Sequence, residues 1–152
     1  MPYAGRVVIF LGLALLARTS AWADDAEDVL AANKAYEHAF SKLDIKAIEA
    51  GWAHDPSVSV IHPSSKAVLV GWDAVRKSYA DQPLRHTDFS VAMDNPTITV
   101  RENIAWVVGI EKVHTVLTNG EVADLSVSAT SIFEKRSGAW LMVHHHGSRT
   151  PQ

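Results

Sequence analysis

The sequence has no cysteine. Disulfides are therefore excluded, as are thiolate metal sites and lipid attachment to a thiol. It has no apolar run of the roughly 20 residues that a membrane-spanning helix needs. No Gly-x-Ser-x-Gly elbow, no His-Glu-x-x-His helix and no glycine-rich phosphate loop occurs, so three common routes to hydrolysis, zinc chemistry and nucleotide binding have no anchor. Positive charge is also scarce, with 14 Lys and Arg against 17 Asp and Glu. A basic face for phosphate backbones is missing, which argues against nucleic acid as a partner. There is no internal repeat, low-complexity tract or linker. What remains is one domain's worth of chain: 152 residues, 47% hydrophobic and 20% charged, with five Trp. That composition supports a packed core without cross-links.

The first 23 residues read as an export signal rather than as part of that core. Arg6 precedes an eleven-residue apolar run, Val7 to Ala17, and Ala21-Trp22-Ala23 is a small-x-small exit before Asp24-Asp25. A positive end, a short greasy middle and a small-residue cleavage site make a secretory signal; the alternative is an uncut anchor. Cleavage after Ala23 leaves residues 24–152 as the mature domain, with a net charge of −5. A periplasmic or secreted location follows, with no membrane contact after cleavage.

In the mature chain, helical signals come first and strand signals later. Val29, Ala32, Tyr36, Ala39, Phe40 and Leu43 recur at helical spacing, so a helix is expected over Ala26 to Leu43. Asp44 suits the N-cap of a second helix, Ile45 to Ala53. Short strands are expected over Ser57 to His62 and Ala67 to Val70, with a third helix from Asp73 to Asp81. Strands then follow over His86 to Met93, Thr97 to Arg101, Asn103 to Leu117, Val122 to Lys135 and Ala139 to Gly147. Asn119-Gly120 is a hairpin turn signal. In Val122 to Lys135, Leu125, Val127, Ala129, Ser131 and Phe133 share the face that must look inward. The expected class is α+β: three N-terminal helices on a curved antiparallel sheet, a cone whose open mouth suits a small molecule.

The stretch His62-Pro63, Gly71, Val75, Arg76, Tyr79 resembles the Asp-Pro, Gly, aliphatic, Arg, Tyr pattern of ketosteroid isomerases, and its spacing needs no gap. The ending, Ile132-Phe133-Glu134-Lys135 and then Gly138-Ala139-Trp140 through Ser148, is similar to the same group's closing hairpin. The chain thus resembles the NTF2-like superfamily, in its SnoaL-like and ketosteroid-isomerase-like branch, over Asp24 to Ser148. The resemblance implies an NTF2-like cone and a homodimer, since such sheets often pack back to back.

It also implies site residues. Tyr36 lies eight residues before Asp44, where the isomerases carry their oxyanion-donating Tyr. Otherwise it is a packed Tyr. His62 replaces the isomerases' Asp base; an imidazole can act as general acid or base near neutrality, or merely contact a ligand. Ala129 replaces their second, acidic oxyanion donor, so only half of that pair survives. Trp52 and Trp72 are candidates for pocket walls, with core filling as the alternative. His144, His145 and His146 could contact a ligand. Neighbours on a strand face opposite ways. The isomerase register turns Val143, His145 and Gly147 inward, whereas the pattern of Trp140 and Met142 turns His144 and His146 inward. Neither a metal nor a cofactor is expected. The leading expectation is a domain that binds a small apolar molecule. The alternatives are an isomerase, dehydratase or cyclase using His62 and Tyr36, or an assembly module without catalysis.

Overall fold

The computed structural model describes the backbone of residues 13–150 and the side chains of residues 24–150. Helix α1 spans Leu13–Ser41, α2 spans Ile45–Gly51 and α3 spans Trp72–Ala80. The strands are β1 (Ser59–Ile61), β2 (Leu69–Val70), β3 (His86–Arg101), β4 (Ile104–Leu117), β5 (Val122–Arg136) and β6 (Ala139–Arg149). They form one curved, unclosed sheet in the order β2-β1-β6-β5-β4-β3. All neighbours are antiparallel except β1 and β6, which run parallel. The three helices cover one face of this sheet, α1 lying chiefly across β3. The architecture is the expected α+β cone.

The first helix is longer than its amphipathic stretch. It runs unbroken from Leu13, so residues 13–23 of the expected export signal continue it, while residues 1–12 lie outside the described residues. Its apolar stripe packs as the spacing predicts: Val29, Tyr36, Ala39 and Phe40 are buried. Asp25 ties α1 to the sheet. It pairs with Lys135 and accepts from Trp140 Nε1 at 3.4 Å. Asp44 caps α2, its Oδ1 accepting from the Lys46 and Ala47 amides at 3.1 Å each.

Strands β1 and β2 are shorter than expected, and two further departures are bulges. The segments either side of Asn95-Pro96 form one edge strand, β3, rather than two. Asp94 pairs with Ile110 and Thr97 with Val108, so Asn95 and Pro96 together face the single Gly109. Asn95 takes a left-handed φ of 46° to absorb the extra residue, and an edge tolerates the missing Pro96 donor. Gly109 leaves room for the Met93 side chain: a Cβ would stand 2.6 Å from Met93 Sδ and 2.8 Å from its Cγ, so Met93 would have to turn aside.

The second bulge lies in β6. Ile132 pairs with His144 but Phe133 pairs with Met142, which leaves Val143 as the extra residue. Before Val143 the even-numbered residues face inward, with Trp140 and Met142 buried. After it the odd-numbered residues do, with His145 and Gly147 buried. The two conflicting readings of this strand each hold for one half. On β5 the predicted inward face is the observed one, with Val127, Ala129, Ser131 and Phe133 all buried.

Candidate functional site

A cavity of about 700 Å³ opens between α1, α3 and the concave face of the sheet. Its walls are mainly apolar: Phe40, Phe89, Val91, Val113, Leu125 and Val127. Phe40 and Phe89 pack with ring centres 4.5 Å apart. Near the rim stand exposed Leu84, Arg85, Glu121 and Arg149. Among the wall residues, His145 and Glu111 are 3% and 5% exposed, so they lie at the deep end.

His62 follows β1 and lines the cavity from the side. Its Nε2 is 3.0 Å from Ser78 Oγ, and Ser78 donates its own proton to the Val75 carbonyl at 2.7 Å. The Ser78 oxygen must therefore accept, which fixes the His62 proton on Nε2 and leaves Nδ1 as the lone-pair nitrogen. Burial, with a lesser push from the Arg85 guanidinium, holds its pKa down to about 4. His62 is thus a neutral imidazole at pH 7.

His145 enters from β6 beyond the Val143 bulge. Its Nδ1 is 3.1 Å from Ser131 Oγ, on the inward face of β5. Its Nε2 is 3.9 Å from Glu111 Oε1. Burial is the main cause that holds its pKa down to about 3, with smaller pushes from His62, His144 and His146. Glu111, on β4, shows no hydrogen bond to its carboxyl among the described residues. Burial, and then the Glu37 carboxylate on α1, push its pKa up to about 8. At neutral pH the deep end thus holds a carboxylic acid and a neutral imidazole, with the neutral His62 on the side wall. It carries almost no formal charge.

The other expected site residues lie elsewhere. Tyr36 is buried beneath the cavity floor and does not line it. Its hydroxyl is 3.0 Å from that of Tyr79, its ring is 5.4 Å from His145, and burial raises its pKa well above the usual phenol range. Tyr79 in turn packs edge-on to His62, with ring centres 5.2 Å apart. Tyr36 and His62 therefore belong to one aromatic cluster, but only His62 reaches the cavity. Trp52 and Trp72 pack on each other where α2 meets α3, at 6.5 Å, away from the cavity. Ala129 faces inward below the floor. His144 and His146 face the outer side of the sheet, where His144 Nδ1 meets Ser59 Oγ at 2.8 Å and His146 Nε2 meets Ser148 Oγ at 2.8 Å. Among the described residues, no group of three or more His, Asp or Glu is placed to hold a metal ion.

Glu111 and His86 line the cavity and were missed in the sequence. Both His86 nitrogens are engaged, with Thr115 at 2.6 Å and Gln82 at 3.0 Å, so it braces the rim. The available signal for Glu111 was an acid set among Val107, Gly109, Val113 and Thr115 on the inward face of its strand.

This hollow cone, with its helices on one face of a curved sheet, defines an NTF2-like fold. The model of the SnoaL-like domain matches residues 29–151, so the chain belongs to the SnoaL-like family. Solved structures agree on the fold. A candidate dehydratase of the NTF2-like family from Streptomyces avermitilis superposes with a TM-score of 0.78 at 23% identity, over 86% of this chain and 99% of that one. A candidate scytalone dehydratase from Novosphingobium aromaticivorans gives 0.76 at 18% identity, over 88% and 89%. A ketosteroid isomerase-like protein from Erwinia carotovora atroseptica gives 0.72 at 19% identity, over 84% and 98%. No curated protein matches the sequence.

Proposed function

We propose that this domain binds a small, largely apolar molecule in its cavity. The carrying observation is a hollow of about 700 Å³ with apolar walls and an uncharged polar deep end. This volume falls within the range of small-molecule sites, and a few convergent polar groups on apolar walls are their usual composition. The test is binding of the hydrocarbon ethylnaphthalene, followed by its fluorescence and by native mass spectrometry. Val113→Trp fills the cavity from the wall shared with Leu125 and should abolish binding. Absence of binding by the unmodified protein, or equal binding by Val113→Trp, defeats the proposal.

A second reading, proton transfer beside a carbonyl, is favoured by one observation: His62 lines the cavity as a neutral imidazole with its lone pair on Nδ1. His62 would take the proton as general base. Tyr36 would act behind it, orienting Tyr79, rather than touching the substrate. His62→Ala that retains ligand and loses turnover supports this reading; unchanged turnover eliminates it. The proposal extends to the setting of the domain: export with cleavage after Ala23, and pairing of two copies through the outer sheet face.

A further inference from the structure

The deep end contains an incomplete hydrogen-bonding pair. Glu111 is only 5% exposed, its carboxyl faces the cavity with no hydrogen bond among the described residues, and its Oε1 lies 3.9 Å from His145 Nε2. That separation is too long for a direct hydrogen bond, whose heavy atoms stand roughly 2.7–3.2 Å apart. It suits a single oxygen seated at normal distance from both. Both residues line the cavity, so an oxygen arriving there comes from the cavity's content. An apolar occupant that covers both groups without meeting them leaves each unmet at about 1–3 kcal/mol, so an occupant that meets both is favoured.

We propose that Glu111 and His145 together bind one hydroxyl group of an otherwise apolar, neutral ligand. The hydroxyl oxygen accepts from the carboxylic acid of Glu111. The hydroxyl hydrogen goes to Nε2 of His145, in the tautomer that carries its proton on Nδ1 toward Ser131 Oγ, 3.1 Å away. An alcohol or phenol can both accept and donate, which is what these two groups together require. The acid form of Glu111 is consistent with its surroundings. Glu37 and Tyr36 face it from α1, Tyr79 from α3 and His145 from β6, while across the sheet β3 and β5 present Met93 and Val127. No cation stands among these groups to hold it ionised.

This inference rests on the cavity being a ligand site, and the experiment separates the two. Ethylnaphthalene and naphthalenemethanol, substituted at the same carbon, have nearly the same shape and differ in the hydroxyl. Their affinities are compared by fluorescence titration at pH 6.5, the ordinary histidine midpoint. The alcohol is expected to bind about tenfold tighter after correction for its lower hydrophobicity, the equivalent of one well-made hydrogen bond. Glu111→Leu and His145→Leu should each remove this advantage while leaving ethylnaphthalene bound. Glu111→Gln, which keeps a donor of the same shape, should keep most of it, so folding defects cannot mimic the result. If ethylnaphthalene binds and the alcohol gains nothing, or if its gain survives in Glu111→Leu, the hydroxyl assignment falls and the cavity reading stands. If neither compound binds, both fall.

Discussion

Glu111 gives a sharp prediction about stability against pH. Its carboxyl is buried, and its pKa lies at about 8 in the folded chain against an ordinary 4.5. Between those values the folded state holds a proton that the unfolded state has released. Stability therefore falls as pH rises across that window, by about 1.4 kcal/mol per unit for one proton. His62 and His145 act with the opposite sign, because their folded pKa values are depressed to about 4 and about 3. Their contribution rises with pH and is nearly complete about one unit above 6.5, the ordinary histidine value. From pH 6.5 to 8 Glu111 is left to dominate among these three. Its share over that interval is about 2 kcal/mol. Glu37, also raised by burial, has the same sign. Glu111→Gln removes the titration while keeping the shape. Urea titrations at pH 6.5 and 8 should show the unmodified protein losing about 2 kcal/mol more than the variant. Parallel losses in the two proteins would refute a protonated Glu111 and the uncharged deep end built on it.

Other outcomes follow from the packing. Gly109→Ala forces a methyl group onto the buried Met93 side chain at the β3 bulge and should cost about 1–3 kcal/mol in a urea titration. Tyr36→Phe leaves the buried Tyr79 hydroxyl without its partner and should cost about 1–3 kcal/mol, with ethylnaphthalene binding retained because Tyr36 is not a wall residue. Phe133→Ala, fully buried on β5, should cost about 3–5 kcal/mol. Intact-mass analysis of protein recovered from outside the cytoplasm should give a chain starting at Asp24, which keeps the Asp25 tie to Lys135 and Trp140; a chain retaining residues 1–23 counts against cleavage.

Much of the fold was readable because its signals are local. Asp44 announces a helix start through its own side chain. Asn119-Gly120 announces the turn between β4 and β5, where Gly120 takes a φ of 85°. The alternation along β5 showed which side chains turn inward. The bulges at Asn95 and Val143 were not readable, because a bulge is a property of pairing between strands. Only the register of β6 against β5 reveals that Val143 is the extra residue. The site was half legible for the same reason. His62 lies in a local motif, and the structure sets it on the cavity wall. Glu111 gains its meaning from Glu37, which is far away in sequence, and from His145 across the sheet. Tyr36 matched a family position, yet the Tyr79 hydroxyl meets it first.

The extra residue at Val143 has a consequence for chemical accessibility. Three consecutive imidazoles on one strand are divided between two environments, with His145 inside and its neighbours outside. A water-borne acylating reagent should therefore modify His144 and His146 long before His145. Shortening the strand by that one residue would exchange their places, moving His145 to the convex surface and turning the strand's end to present different side chains to the hollow. A single backbone irregularity thus sets which imidazole the interior receives.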